Sequence, residues 1–196
     1  MSVVSIESSE TGRKISPEDL LALPNERDFE LVHGELVERT MGTESAFVAG
    51  RLFHLIFAYV ELKRLGWAFS DGTGYLLPLE RSDTVRKPDV SFVSFQQLPA
   101  TDAFPKGYMK LAPDLAVEVV SPNDLEEEVD KKINDYLTVG VRLVWEIHPT
   151  SRTITVHRAD DSVVRLRETD ILDGENVLPG FQCRIADLFV GPQPAE

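Results

Sequence analysis

DLAVEVVS, residues 114–121, is an apolar run with one carboxylate, Glu118, set in its middle. Its length and its β-branched content read as a strand buried on at least one face. Downstream, NDLEEEVDKKINDYLTVG (residues 123–140) reads as a helix. Asn123 or Asp124 can cap it, Glu126 to Glu128 suit the positive end of its dipole, and Gly140 stops it. Its apolar stripe is Val129, Ile133, Tyr136 and Leu137. Lys132, four residues before Tyr136, lies at the edge of the inward face, and Lys131 is turned about 100° away. Upstream, RKPDVSFV (residues 86–93) opens a second apolar strand with Asp89. A strand, a helix and a carboxylate inside each strand are the frame around which the remaining segments are placed.

SPEDLLAL, from Ser16, reads as a short helix ending before Pro24, with Ser16 as cap, Pro17 at the first position and Asp19 completing a capping box. FELVHGELVER is a hairpin turning at His33-Gly34. The longest helical pattern runs from about Ser45 to Leu65, with Phe47, Val48, Leu52, Leu55, Ile56, Tyr59, Val60 and Leu62 as a wide apolar stripe before Gly66. WAFSDGTGYLLPLE reads as two short strands around a turn, and the Pro- and Gly-bearing segment 95–110 as an irregular loop. RLVWEIH and RTITVHR form a second hairpin through PTS, and short strands and the turn IADLF close the chain. This order predicts an α/β fold bordering on α+β, with a mixed sheet backed by two main helices. Residues 1–14 and 191–196 are expected to be tails, and 15–190 one domain.

Composition narrows the function. Hydrophobic residues at 42% and charged residues at 27% are ordinary for a globular chain. No secretory signal is expected, nor a run of roughly 20 apolar residues such as a membrane span needs, so the expectation is a cytoplasmic protein with no membrane partner. The single cysteine, Cys183, excludes an internal disulfide and a cysteine-based zinc site. A net charge of −13 argues against a nucleic-acid coat protein but not against a nuclease, because carboxylates that hold a divalent cation become attractive to phosphate.

A carboxylate inside an apolar strand is costly unless it is paired, hydrogen-bonded or metal-bound. Asp89 and Glu118 are 118 − 89 = 29 positions apart. On neighbouring strands they would point into one site, and one or two carboxylates with water and substrate phosphate is an ordinary Mg²⁺ arrangement. The alternative is a turn aspartate and a structural ion pair. Lys132 beside such a site would orient water or offset developing charge; the alternative is a surface lysine paired with Glu128. Glu30 alternates with Phe29 and Leu31 and either joins the site as a third carboxylate or lies on a solvated hairpin face. Glu44 is a second candidate for that extra acid. Arg86 and Lys87 either contact a phosphate backbone or sit in a solvated turn. His33, His54, His148 and His157 lack metal-ligand spacing, and His54 is expected in the core or an interface. The glycines of GTG, 72–74, read as a turn and not a phosphate loop.

The ordered set of Pro88-Asp89, Glu118-Val-Val120 and Lys132, with FELVHGELVE, APDLAVEVVSP and GVRLVWEIHP around it, resembles the PD-(D/E)xK restriction-endonuclease-like nucleases, and among them the Uma-type endonucleases. The resemblance spans about Ser16 to Leu188. It implies a restriction-endonuclease-like mixed sheet flanked by helices, with β-hairpins near both ends. It implies that Asp89 and Glu118 bind Mg²⁺, or Mn²⁺ in its place, and that a lysine assists hydrolysis of a DNA phosphodiester by what is often a homodimer. The usual lysine falls two residues after the glutamate. Here that position is Val120, and Lys132 fits the branches in which the lysine has moved to the following helix. The departure leaves open a second reading, a catalytically inactive nuclease-like fold that serves as a binding module.

Overall fold

The computed structural model describes residues 14–79 and 83–191, so the expected tails fall almost wholly outside the described residues. Two sheets and three helices carry the fold. The larger sheet has six strands in the order β10-β9-β8-β7-β6-β3: β3 (Gly66–Ser70), β6 (Val90–Ser94), β7 (Leu115–Val119), β8 (Leu143–His148), β9 (Thr153–Arg158) and β10 (Val163–Arg167). Within it β7 and β8 run parallel, joined through α3 (Glu126–Thr138), and the other neighbours are antiparallel. This is the mixed sheet that the sequence predicts. The smaller sheet has the order β2-β1-β5-β4, from β1 (Phe29–Val32), β2 (Glu35–Glu38), β4 (Tyr75–Leu76) and β5 (Val85–Arg86). A hairpin of β11 (Ile171–Asp173) and β12 (Gln182–Arg184) follows.

α2 (Thr43–Lys63) covers one face of the large sheet. Val48, Leu52, Ile56 and Val60 pack there on Phe92, Val117, Leu143, Trp145 and Ile154. With 21 residues and a mean hydropathy of 1.4, α2 has the length and composition of a membrane span, which the sequence reading had not anticipated; its buried stripe is used as a core helix uses one. That stripe is narrower than expected, since Phe47 and Leu62 are exposed, and so is His54. α3 covers part of the opposite face, where Val129, Ile133 and Tyr136 meet Val93, Ala116 and Val144. The period of two along β7 therefore sends Val117 toward α2 and Glu118 toward α3.

Local chemistry explains the well-read elements. In α1 (Pro17–Leu21), Ser16 and Asp19 form the expected reciprocal capping box, with the Asp19 N–H donating to Ser16 Oγ at 3.1 Å. His33 and Gly34 turn the first hairpin with φ of 52° and 82°, the doubly left-handed geometry that matches strand twist. Two expectations need correction. The strands of WAFSDGTGYLLPLE do not pair with each other: β3 joins β6 in the large sheet and β4 joins β5 in the small one. Neither Asn123 nor Asp124 caps α3. Its N-cap is Leu125, and Asp124 instead accepts from the Ser121 N–H at 2.7 Å, closing the turn ahead of the helix.

Candidate active site

Four elements converge on one buried polar cluster. Asp89 precedes β6, and its Oδ2 accepts from the Val119 N–H on β7 at 2.7 Å. That bond explains how an aspartate can open a buried strand: it ties the two strands together beyond the last register pair, Val90 with Val117. Glu118, one residue before Val119, is as buried as Asp89. Its Oε1 accepts from the Tyr136 hydroxyl at 2.7 Å and its Oε2 from the Lys132 ammonium at 3.2 Å, both from α3. Lys132 also lies 3.5 Å from Glu30 Oε2, so Glu30 of β1 joins from the small sheet. The alternative pair of Lys132 with Glu128 is not formed. Lys131 is exposed and reaches Glu127 at 3.9 Å, one helical turn away.

The other sequence candidates fall elsewhere. Glu44 is exposed in the first turn of α2. Arg86 and Lys87 are corrected most sharply: both are buried and neither reaches solvent to meet a phosphate. The Arg86 guanidinium donates to Glu30 at 3.0 Å and to Asp135 at 2.6 Å, and the Lys87 ammonium pairs with Glu26. The Lys87 backbone N–H donates to Glu30 Oε1 at 2.7 Å, so both Glu30 oxygens are held. These cations form the floor that supports the cluster.

Sequence reading missed Arg39. It follows β2, and its side chain is only 13% exposed. Its guanidinium donates to Asp71 at 2.6 Å and to the Lys87 carbonyl at 3.0 Å, and stands 3.5 Å from Asp89 Oδ1. Only a hydrophobic-to-polar switch at the end of the hairpin hints at it. A second missed group is Glu146 on β8, in register with Glu118. His148 Nε2 lies 2.9 Å from one of its oxygens and His157 Nε2 3.0 Å from the other. The two histidines belong to different strands, so no spacing rule finds them.

The carboxylates are not electrostatically equivalent. Burial alone would raise Glu30, but Lys132, Arg86, Arg39 and the Lys87 N–H outweigh it and hold Glu30 at about 2. It is a permanent anion. Asp89 is pushed up to about 7, first by burial and then by the charge of Glu118, against the pull of the Val119 N–H, Lys132 and Arg39. Glu118 is also raised, by burial and with Glu30 adding to it, although Lys132 and Tyr136 oppose the rise. Lys132 itself moves upward: burial would lower it, and Glu118, Glu30 and Asp89 reverse the sign. Burial and neighbouring carboxylate charge thus outweigh Lys132 and Arg39 at Asp89 and Glu118, and a divalent cation would offset that cost.

That donor set fits a hard, oxygen-loving ion. Among the described residues no group of three or more His, Cys, Asp or Glu is arranged to hold a metal. Mg²⁺ does not require one, because it keeps several waters and is commonly held by one or two carboxylates with substrate phosphate. Of the cluster's carboxylates, Asp89 and Glu118 are the two candidates: fully buried Glu30 is held by Arg86, Lys132 and the Lys87 N–H, whereas Asp89 Oδ1 has only Arg39 at 3.5 Å and Glu118 Oε2 only Lys132 at 3.2 Å.

The profile of the Uma2 family, described as "Putative restriction endonuclease", matches residues 17–186. The solved structures to which the chain is similar include that of "a putative nuclease belonging to DUF820 from Anabaena variabilis ATCC 29413". The TM-score is 0.77 at 22% sequence identity, over 89% of this chain and 97% of that one. At that identity the likeness establishes the fold. A search of curated proteins found no match.

Proposed function

The chain belongs to the Uma2 family, and from that premise we propose that it is a divalent-metal-dependent endonuclease that hydrolyses DNA phosphodiester bonds. Family membership supports a nuclease activity. The observation that carries the finer reading is the convergence of Asp89, Glu118 and Lys132, from separate elements, on one buried point. Asp89 and Glu118 would hold Mg²⁺, or Mn²⁺ in its place; when bound, such an ion polarises the scissile phosphate and acidifies water. Lys132 is held protonated by its acidic neighbours, so it serves as a hydrogen-bond donor and not as a base. Its ammonium would orient the attacking water or offset charge that grows on the phosphate oxygens. Tyr136 fixes one oxygen of Glu118 and leaves the rotamer little freedom. Glu30 anchors Lys132 from the far side, which takes over the positioning that a lysine at residue 120 would have on the strand itself.

The test is cleavage of supercoiled plasmid in Mg²⁺ or Mn²⁺ by wild type, Asp89→Ala and Glu118→Ala. The expected result is loss of at least about two orders of magnitude in each variant, the scale of removing a principal electrostatic group from an active site. Unchanged activity in both variants would exclude the mechanism. A second reading, a non-catalytic binding module, draws on one observation: each carboxylate of the cluster already has cationic or N–H partners within the chain. Titration calorimetry separates the two, since the module predicts no Mn²⁺ binding that Asp89→Ala abolishes.

A further inference from the structure

The sheet face that carries Glu118 continues past α3. Register partners share a face, and Glu118 stands opposite Glu146, Glu146 opposite Thr155, and Thr155 opposite Arg165. The adjacent row on the same face runs His148, Thr153, Arg167. At about 4.8 Å per strand, Arg165 lies roughly 14 Å from Glu118. α3 does not cover this end: β9 buries Ile154 and Val156 toward α2, while Thr153, Thr155 and His157 on the other face are half-exposed, and Arg165 and Arg167 are exposed.

The charge of Arg165 and Arg167 on this face is available, and the charge nearer the site is not. Arg39, Arg86, Lys87 and Lys132 are committed to Asp71, Glu30, Asp135, Glu26 and Glu118. Arg165 touches only a neutral hydroxyl, Thr153 Oγ1 at 3.2 Å, and the Arg167 guanidinium has no partner among the described residues. Glu146 presents no bare carboxylate to the row, because His148 and His157 occupy its two oxygens. Of two surface hollows, the larger, about 440 Å³ near α1, has a single cation, Lys14. The other, about 390 Å³, lies on this face and carries Arg165, Arg167 and Thr153 on its wall, together with Arg152, which is paired to Glu168 at 2.8 Å. In a chain of net charge −13 such a cluster stands out against its surroundings.

We propose that this open half of the sheet, centred on Arg165 and Arg167 with Thr153, His148 and His157 beside them, is the track on which the phosphodiester backbone of the substrate lies as it leaves Glu118. The inference rests on the nuclease reading above. Guanidinium groups interleaved with hydroxyls suit phosphate oxygens, which position a nucleic acid without reading its bases. A span of about 14 Å corresponds to roughly four steps of one strand at 3.4 Å each.

The experiment measures anisotropy of a labelled 20-base-pair duplex in Mg²⁺ between 50 and 200 mM salt, read before cleavage proceeds. Wild type is compared with the double variant Arg165→Gln/Arg167→Gln and with Lys63→Gln, an exposed cation at the end of α2 on the opposite side of the sheet. Each neutralised phosphate contributes about 0.9 to the slope of log affinity against log salt, so the double variant is expected to be shallower by about two and about tenfold weaker. Lys63→Gln is expected to match wild type. Hydrolysis of bis(p-nitrophenyl) phosphate, too short to reach the track, is expected to be unchanged in the double variant, which also excludes a folding defect. Wild-type-like binding by the double variant overturns the proposal, as does equal loss in Lys63→Gln or a wild type that binds no duplex. Arginine-dependent capture of a polyglutamate peptide without any effect on duplex would assign the face to an acidic protein and also overturn it. A wild type that hydrolyses neither substrate yet binds duplex through these arginines removes the hydrolytic reading and leaves the track standing.

Discussion

Asp89 and Lys132 show how the same burial has opposite consequences for two charged groups. Asp89 titrates near 7 in the fold against an ordinary 3.8, so the unfolded chain gives up that proton first. Stability from this group is full below about pH 4 and is lost as the pH rises to about 7. Asn retains an oxygen for the Val119 N–H and cannot ionise. Asp89→Asn is therefore expected to stabilise the metal-free protein at pH 8 by about 2 kcal/mol, and to lose that advantage near pH 4. Urea unfolding at the two pH values checks this; a variant less stable than wild type at pH 8 contradicts it. Lys132→Met strands two buried carboxylates, Glu118 and Glu30, and is expected to cost about 3 kcal/mol. Lys131→Met, next in sequence, breaks only an exposed pair with Glu127 and is expected to change stability by a few tenths of a kcal/mol. Equal effects at the two positions in thermal melts would show that the helix phase has been misassigned.

At the scale of elements, Gly66 decides how the edge of the large sheet closes. α2 ends at Arg64 with φ of 54°, and β3 begins two residues later against β6. A Cβ on Gly66 would stand 2.2 Å from the Val93 carbonyl and 2.7 Å from Ser94 Cα, both of them backbone. Gly66→Ala is expected to cost about 2–3 kcal/mol, and hydrogen exchange should report it first as lost protection in β3. Retained protection there would contradict the packing. The long periodic elements were legible from the sequence because their pattern repeats often enough to be unambiguous, as in α2, α3 and the β8–β9 hairpin. Two-residue strands such as β4 and β5 carry no period, so their pairing with the β1–β2 hairpin into a second sheet was invisible. Asp89 and Glu118 were legible because a carboxylate contradicts its apolar run. Arg39, Arg86 and Lys87 were misread or missed for the converse reason: in loops and hairpin ends, charge is the rule, and only the three-dimensional arrangement shows that these charges are buried.

Across the whole molecule, an acidic chain has placed nearly equal numbers of anions and cations in one buried cluster and left its free arginines on an adjoining face. Asp89 and Glu118 are raised by burial and by neighbouring carboxylate charge, and a divalent cation would offset that cost. Duplex affinity is accordingly expected to rise with Mg²⁺, since without it the carboxylates repel phosphate. The central claim is the identity of the two ligands. Anomalous diffraction from crystals soaked in Mn²⁺ tests it most directly. The account predicts a single strong peak within coordination distance of both Asp89 and Glu118, absent in Glu118→Ala. A map with no peak there, or with Mn²⁺ bound at other residues, would contradict it.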